Sequence, residues 1–105
     1  MPRYIGKIDD RYFEFSTIVD APVTYLMTRE EYEAYYRSEY GNSAMDKFAE
    51  RMERADRKGT SSMMDDSFED MISCNRYGDG ESCLSVEEFK DRIKQETEAN
   101  ANSST

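Results

Sequence analysis

The stretch from Asp65 to Glu88 holds most of the side chains in this chain whose type and spacing could do chemistry. Eight of its residues carry carboxylates: Asp65, Asp66, Glu69, Asp70, Asp79, Glu81, Glu87 and Glu88. Arg76 is the one cation in the stretch, whereas residues 1–59 hold ten cations against twelve carboxylates. A negative charge confined to one region creates a local field. We therefore interpret these eight residues as a surface that binds a positively charged partner.

The groups that most enzymes rely on are missing from the sequence. The chain contains no histidine, which excludes Ser–His and Cys–His nucleophilic pairs and a histidine-ligated zinc. Nothing in the pattern places two carboxylates in an apolar cleft with separated pKa values. The run Gly78-Asp79-Gly80 lacks the Gly-Lys-Ser/Thr ending of a phosphate-binding loop. We predict a protein that is not an enzyme and that has no catalytic residue, metal or cofactor.

The end of the acidic stretch, over residues 77–89, resembles part of an EF-hand calcium loop. With Glu88 as the twelfth position, Asp79 and Glu81 fall at the third and fifth positions, which carry ligands. The first position falls on Tyr77, which supplies no carboxylate, and the sixth, where the loop needs glycine, is a serine. A calcium-binding module is therefore the alternative function, with calcium affinity expected to be weaker than about millimolar.

Two cysteines, Cys74 and Cys83, flank the glycine-rich part of the same stretch. An even pair around a loop is compatible with a disulfide. The first ten residues contain no secretory signal, which favours reduced thiols. We predict that both are small, partly buried anchors of the loop, and leave open whether they form a disulfide.

The segment that precedes these elements, residues 1–27, is predicted to form a small sheet. Aromatic and β-branched residues recur with period two from Arg11 to Val19, with Phe13 and Phe15 on one face. A strand before this run and another over residues 23–27 complete an antiparallel meander. Three strands with one apolar face need a cover.

Residues 28–59 supply that cover as two predicted helices. Thr28 and Glu31 form a capping box at the start of the first helix, and Gly41 can end it. Four tyrosines share one face of this helix: Tyr32, Tyr35, Tyr36 and Tyr40. We predict that they pack on the sheet with their hydroxyls at the rim. Exposed tyrosines serving as anchors of a structural or adaptor protein are the alternative.

A second helix is predicted between a cap at Ser43 and a stop at Gly59, with Phe48 in its apolar stripe. The polar residues 59–62 are predicted to form a hinge. The acidic helix–loop–helix follows over residues 60–94.

The acidic helix–loop–helix places Asp65, Asp66, Glu69 and Asp70 on one face of its first helix. Ser85 and Glu88 form a capping box at the start of its second helix. Residues 95–105 have no apolar side chain larger than alanine, and we predict a disordered tail there. The fold prediction is thus one α+β domain over residues 1–94, with a three-stranded antiparallel N-terminal sheet covered by helices.

The charge of the whole chain narrows the class of partner. A net charge of −9 argues against nucleic-acid backbone or an anionic membrane as a direct ligand, because like charges repel. Carboxylates at neighbouring positions of a helix stand about 5–6 Å apart at Cβ, a spacing of the same order as that of phosphates along a DNA strand. A row of them can occupy a basic groove meant for nucleic acid.

In size, local acidity and lack of a catalytic set, the chain resembles the small acidic proteins with which bacteriophages block host nucleic-acid enzymes, including anti-CRISPR and anti-restriction proteins. The resemblance implies a stoichiometric inhibitor in the host cytoplasm. It would occupy the basic surface of a nucleic-acid-handling protein, and the eight carboxylates named above would make the contact.

Overall fold

The computed structural model describes residues 3–64 and 67–103, and its centre is a three-stranded antiparallel sheet. The strands are β1 (Arg3–Ile8), β2 (Arg11–Ser16) and β3 (Ala21–Pro22), in that spatial order. Aromatic and β-branched residues favour the two long strands because such side chains pack well on a pleated surface. The predicted α+β class and the N-terminal sheet are confirmed.

The third strand lies earlier in the chain than predicted. Residues 23–27 were expected to form it, but β3 is the short segment Ala21–Pro22. Asp20 has a φ of 55°, a left-handed conformation that aspartate tolerates, and this turn reverses the chain directly before β3. A proline fits an edge strand because it has no N–H to donate. The chain then leaves the sheet and returns at Met27, which exchanges two backbone hydrogen bonds of 2.8 Å with Tyr12.

Helices cover both faces of the sheet, whereas the sequence pattern predicted one apolar face. The helices α1 (Arg29–Tyr40) and α2 (Phe48–Lys58) pack on one face, and α3 (Phe68–Met71) and α4 (Val86–Ser103) pack on the other. On the α1–α2 side the buried cluster consists of Ile5, Tyr12, Tyr32, Tyr36, Phe48, Met52 and Ala55. On the α3–α4 side it consists of Ile8, Phe13, Phe15, Leu26, Phe68, Met71, Ile72, Phe89 and Ile93. Burial of Phe15 and Phe48, predicted from their phases, is confirmed.

The tyrosine face of α1 packs on the sheet. Tyr32 and Tyr36 are buried, so the alternative of an exposed interface face is wrong for these two. Tyr35 and Tyr40 are half-buried and donate hydrogen bonds of 2.9 and 2.6 Å to the carboxylate of Glu14 on β2. The sequence pattern places Glu14 on the face of β2 for which no cover is predicted. Glu14 is nevertheless only 2% exposed. The predicted capping box of Thr28 at the start of α1 is confirmed.

The helix α2 begins later than predicted. Ser43 is predicted to cap it, but Ser43 lies in a separate 3-10 segment, Asn42–Asp46, and α2 starts at Phe48 without a side-chain cap. The predicted stop at Gly59 is confirmed, since this residue takes the left-handed conformation with φ 83°.

The polar residues after α2 form part of the sheet edge rather than a hinge. Thr60 and Ser61 are almost fully buried. The N–H of Lys7 donates to the carbonyl of Gly59 at 3.0 Å, and the N–H of Ser61 donates to the carbonyl of Ile5 at 2.9 Å. These bonds cover the outer edge of β1 while the chain crosses from the α1–α2 face to the α3–α4 face.

The predicted disordered tail is wrong over residues 95–103, because α4 continues to Ser103. The hydroxyl of Thr97 accepts from the N–H of Leu26 at 3.0 Å and donates to the carbonyl of Ile93 at 2.7 Å. This contact holds a part of α4 that has no large apolar side chain. Residues 104–105 lie outside the described part of the chain.

Candidate partner-binding surface

Asn75 organises the loop between α3 and α4. Its side chain is 1% exposed, and its amide nitrogen donates to the carbonyls of Ile72 and Leu84 at 2.8 and 2.9 Å. Its amide oxygen accepts from the N–H groups of Tyr77 and Leu84 at 3.2 and 3.1 Å. The amide therefore replaces the backbone pairing that the two ends of the loop lack, and it fixes where the loop leaves and rejoins the fold.

Asn75→Ala should cost about 2–3 kcal/mol of stability, because it leaves buried backbone donors and acceptors without partners. Asn75→Asp keeps the acceptor but places a buried carboxylate oxygen against the carbonyls of Ile72 and Leu84, so its cost should be at least as large. Urea unfolding of both variants checks this expectation. A loss below about 0.5 kcal/mol for Asn75→Ala, the range typical of surface substitutions, would contradict the role given to this amide.

Two side chains of the loop attach it to the outer face of α4. The hydroxyl of Tyr77 donates to the carboxylate of Glu96, and burial followed by this bond raises the pKa of Tyr77 above its usual range. The guanidinium of Arg92 lies 3.3 Å from Asp79 and 3.5 Å from Glu96, and it stacks over the Tyr77 ring at 4.9 Å from the centroid. The loop carboxylate Asp79 is thereby held beside the helix carboxylates.

An open groove of about 440 Å³ runs along this contact, and we call it the acidic groove. It is lined by Asp79, Leu84, Glu88, Asp91, Arg92, Gln95 and Glu96. Four of these residues are carboxylates, and the single cation among them, Arg92, is already bound to two of the four. The capping hydrogen bonds with Ser85 lower the pKa of Glu88, so this carboxylate is ionised at neutral pH.

The other cations of α4 point away from the acidic groove. Lys94 forms an ion pair with Asp9 at 3.2 Å. Lys90 lies over the ring of Phe68 at 5.4 Å from the centroid. The face of α4 that carries Glu88, Asp91 and Glu96 is therefore strongly negative, although the segment from residue 90 onward is electrically balanced in the sequence.

The structure gathers only part of the predicted surface. Asp79 and Glu88 line the acidic groove, and the capping box of Ser85 with Glu88 is confirmed. Four predicted residues are exposed but lie outside the groove: Glu69, Asp70, Glu81 and Glu87. Asp65 and Asp66 lie outside the described residues.

The predicted helix with four aligned carboxylates is shorter than expected. Ser67 caps α3 by accepting from the N–H of Asp70 at 3.2 Å, so the helix starts at Phe68 and has four residues. It contains Glu69 and Asp70 of the predicted row. A rigid acidic surface is supplied by α4 instead.

Sequence reasoning missed Asp91, Gln95 and Glu96 as surface residues. The charge count over residues 90–105 is neutral, which hid them. A helical projection would have found Asp91 and Gln95, because they follow Glu88 at spacings of three and four residues and so share one helix face. Glu96 is joined to this face by its ion pair with Arg92.

A second depression, lined by both polar and apolar side chains, borders the acidic groove. Glu96 and Tyr77 line it together with Pro22, Val23 and Tyr25. Val23 and Tyr25 are 40% and 45% exposed, so both side chains are open to contact from outside. A partner that meets the carboxylates of α4 can thus also meet a tyrosine ring and an aliphatic side chain.

No group of three or more acidic or cysteine side chains converges to hold a metal ion in residues 3–64 and 67–103. Of the three carboxylates placed at EF-hand positions, Asp79 pairs with Arg92, Glu81 is exposed in a turn with a φ of 63°, and Glu88 forms the capping box with Ser85.

The cysteines differ from their predicted role. Cys74 and Cys83 are free and exposed rather than partly buried, because the amide of Asn75 fills the interior of the loop in their place.

A scan against protein families, a search of characterised proteins and a search of solved structures each find no match for this chain. Among the residues that the structure describes, no helix is both long enough and apolar enough to cross a membrane.

Proposed function

We propose that this protein is a non-enzymatic inhibitor of the phage type, an anti-CRISPR or anti-restriction protein. It binds the basic surface of a nucleic-acid-handling protein in the host cytoplasm. The observation that carries the proposal is the acidic groove, which is lined by four carboxylates and whose single cation is already paired with two of them. It makes no direct contact with nucleic acid or membrane.

The geometry of α4 fits a partner surface that normally binds a nucleic-acid strand. The helix has 18 residues and is therefore about 27 Å long. Glu88 and Asp91 are three residues apart, which sets their Cβ atoms about 5–6 Å from each other, and Glu96 adds a third carboxylate five residues further along. Phe89 and Ile93 on the opposite face are fully buried, so the charged face is held rigidly. A rigid row of charges loses little conformational entropy when it binds.

The second depression supplies a second kind of contact through its apolar side chains. Charge complementarity chiefly raises the association rate and selects the partner, whereas buried aromatic residues supply much of the affinity in interfaces. Tyr25 and Val23 lie beside the acidic groove, where they would contact the rim of the partner's basic groove. The partner is thus expected to carry an apolar patch beside its cations.

Neutralising the acidic groove should weaken binding at least tenfold, or about 1.4 kcal/mol. The variant combines four isosteric changes: Asp79→Asn, Glu88→Gln, Asp91→Asn and Glu96→Gln. Glutamine can serve in a capping box, and the remaining amide oxygen at position 96 can accept from Tyr77, so the fold should persist. The measurement is capture of proteins from a bacterial lysate, followed by the affinity for the captured partner at two salt concentrations.

A matched control neutralises the same number of charges on the opposite side of the sheet, as Glu30→Gln, Glu33→Gln, Glu50→Gln and Glu53→Gln. All four glutamates are exposed on α1 or α2. The control should retain the partner and its salt dependence. Equal losses from the two variants, salt-independent binding, or a captured partner without a nucleic-acid-binding surface would each overturn the proposal.

A further inference from the structure

The two exposed cysteines belong to chain segments that are fastened to one another. Cys74 lies between Ser73 and Asn75, and Cys83 directly precedes Leu84. The side chain of Asn75 binds both the N–H and the carbonyl of Leu84, at 3.1 and 2.9 Å. This double contact keeps the two segments side by side, although eight residues separate the cysteines in the sequence.

The sulfur of Cys83 lies over the backbone that flanks Cys74. Its thiol donates to the carbonyl oxygen of Ser73 at 3.3 Å, and the amide nitrogen of Asn75 lies 3.8 Å from the same sulfur. In a trans peptide, a carbonyl oxygen lies about 2.8 Å from the Cα of the next residue. The Cα of Cys74 is therefore within about 6 Å of the Cys83 sulfur. Rotation of the exposed Cys74 side chain about χ1 can bring the two sulfurs towards bonding distance.

We propose that Cys74 and Cys83 are an oxidation site at which a low-molecular-weight disulfide, such as oxidised glutathione, forms an intramolecular disulfide. The thiolate of one cysteine attacks the oxidant, which gives a mixed disulfide and releases one glutathione thiol. The thiolate of the other cysteine attacks the protein sulfur of that mixed disulfide and releases the second. The chain loses two hydrogen atoms and two electrons, and one glutathione disulfide becomes two thiols.

The bond closes the loop that carries Tyr77 and Asp79 to α4. It constrains the unfolded chain, since it closes a ring between positions 74 and 83. The oxidised protein also holds Asp79 beside Arg92 with less freedom than the reduced protein. This inference is independent of the identity of the partner.

The test uses the full reduced chain, incubated at low protein concentration with oxidised glutathione. Trypsin cuts after Lys58, Arg76 and Lys90, so it separates the two cysteines. Digestion without reductant should yield residues 59–76 linked to residues 77–90, and the intact mass should fall by two hydrogen atoms. Cys74→Ser and Cys83→Ser should each retain one glutathione, because the second step is removed.

A thermal melt provides the second readout. The oxidised wild-type protein should melt about 5–10 °C above the reduced protein, whereas the two serine variants should show no such rise on oxidation. Two glutathiones retained per wild-type chain, or a bond between two chains, would show that the thiols do not meet. A lower melting temperature on oxidation would show that the native loop cannot accommodate the bond.

Discussion

Phe89→Ala should lower the free energy of unfolding by about 3–5 kcal/mol. Phe89 on α4 is fully buried, and its ring centroid lies 5.9 Å from that of Phe13, 5.8 Å from that of Phe68 and 5.1 Å from that of Tyr77. Removing the ring leaves a cavity where strand, helix and loop meet. A domain of this size has a total stability of roughly 5–15 kcal/mol, so the loss is a large share of it.

Urea unfolding monitored by circular dichroism gives the magnitude. Met64→Ala is the control, because Met64 is 86% exposed and a surface change of this kind should stay within about 0.5 kcal/mol. A Phe89→Ala cost similar to that of the control would mean that α4 does not pack on the sheet. The acidic groove would then lose its rigid support.

Glu14→Ala should also cost about 2–3 kcal/mol, because it removes the charged acceptor shared by three donors. The hydroxyls of Tyr35 and Tyr40 and the guanidinium of Arg3 all bind the Glu14 carboxylate, at distances of 2.9, 2.6 and 3.1 Å. The two hydroxyls would remain half-buried without this partner. Glu14→Gln keeps the shape and one acceptor, so about 1–2 kcal/mol should be lost instead.

A spectroscopic titration separates this effect from a loss of packing. Burial, followed by the bond to Glu14, raises the pKa of Tyr40 to about 12. Glu14→Gln should lower that pKa while leaving it above the usual value, because burial remains. Urea unfolding gives the free energy of unfolding that each variant loses. Equal costs for the alanine and glutamine variants, with an unchanged tyrosine titration, would contradict the role of the carboxylate.

The local signals were sufficient to place several elements from sequence. The capping boxes that start at Thr28 and Ser85 depend on residues three positions apart, and both form as predicted. The stop at Gly59 depends on one residue, and the phases of Phe15 and Phe48 depend on short windows. Each of these predictions needed no knowledge of the rest of the chain.

The misses depend on contacts between distant residues. Burial of Glu14 follows from tyrosines more than 20 residues away, and the last turns of α4 are held by Thr97 contacting Leu26, 71 residues earlier in the chain. The acidic groove likewise requires that Asp79 be carried to α4 by Asn75 and Arg92. No local pattern encodes contacts between residues so far apart in the chain. The sequence therefore predicts an acidic region but not which carboxylates line the groove.

The way the sheet ends at its two sides limits how other proteins can bind this one. The outer edge of β1 is occupied by the backbone of residues 59–61, and β3 is two residues long and contains Pro22. Neither side offers a long row of unpaired amides onto which a foreign strand could add. A partner would then contact side chains of this protein rather than add a strand to its sheet. The protein should accordingly resist edge-to-edge aggregation of its sheet, and, under the proposed function, a host could escape inhibition by exchanging a few surface cations without remodelling its own backbone.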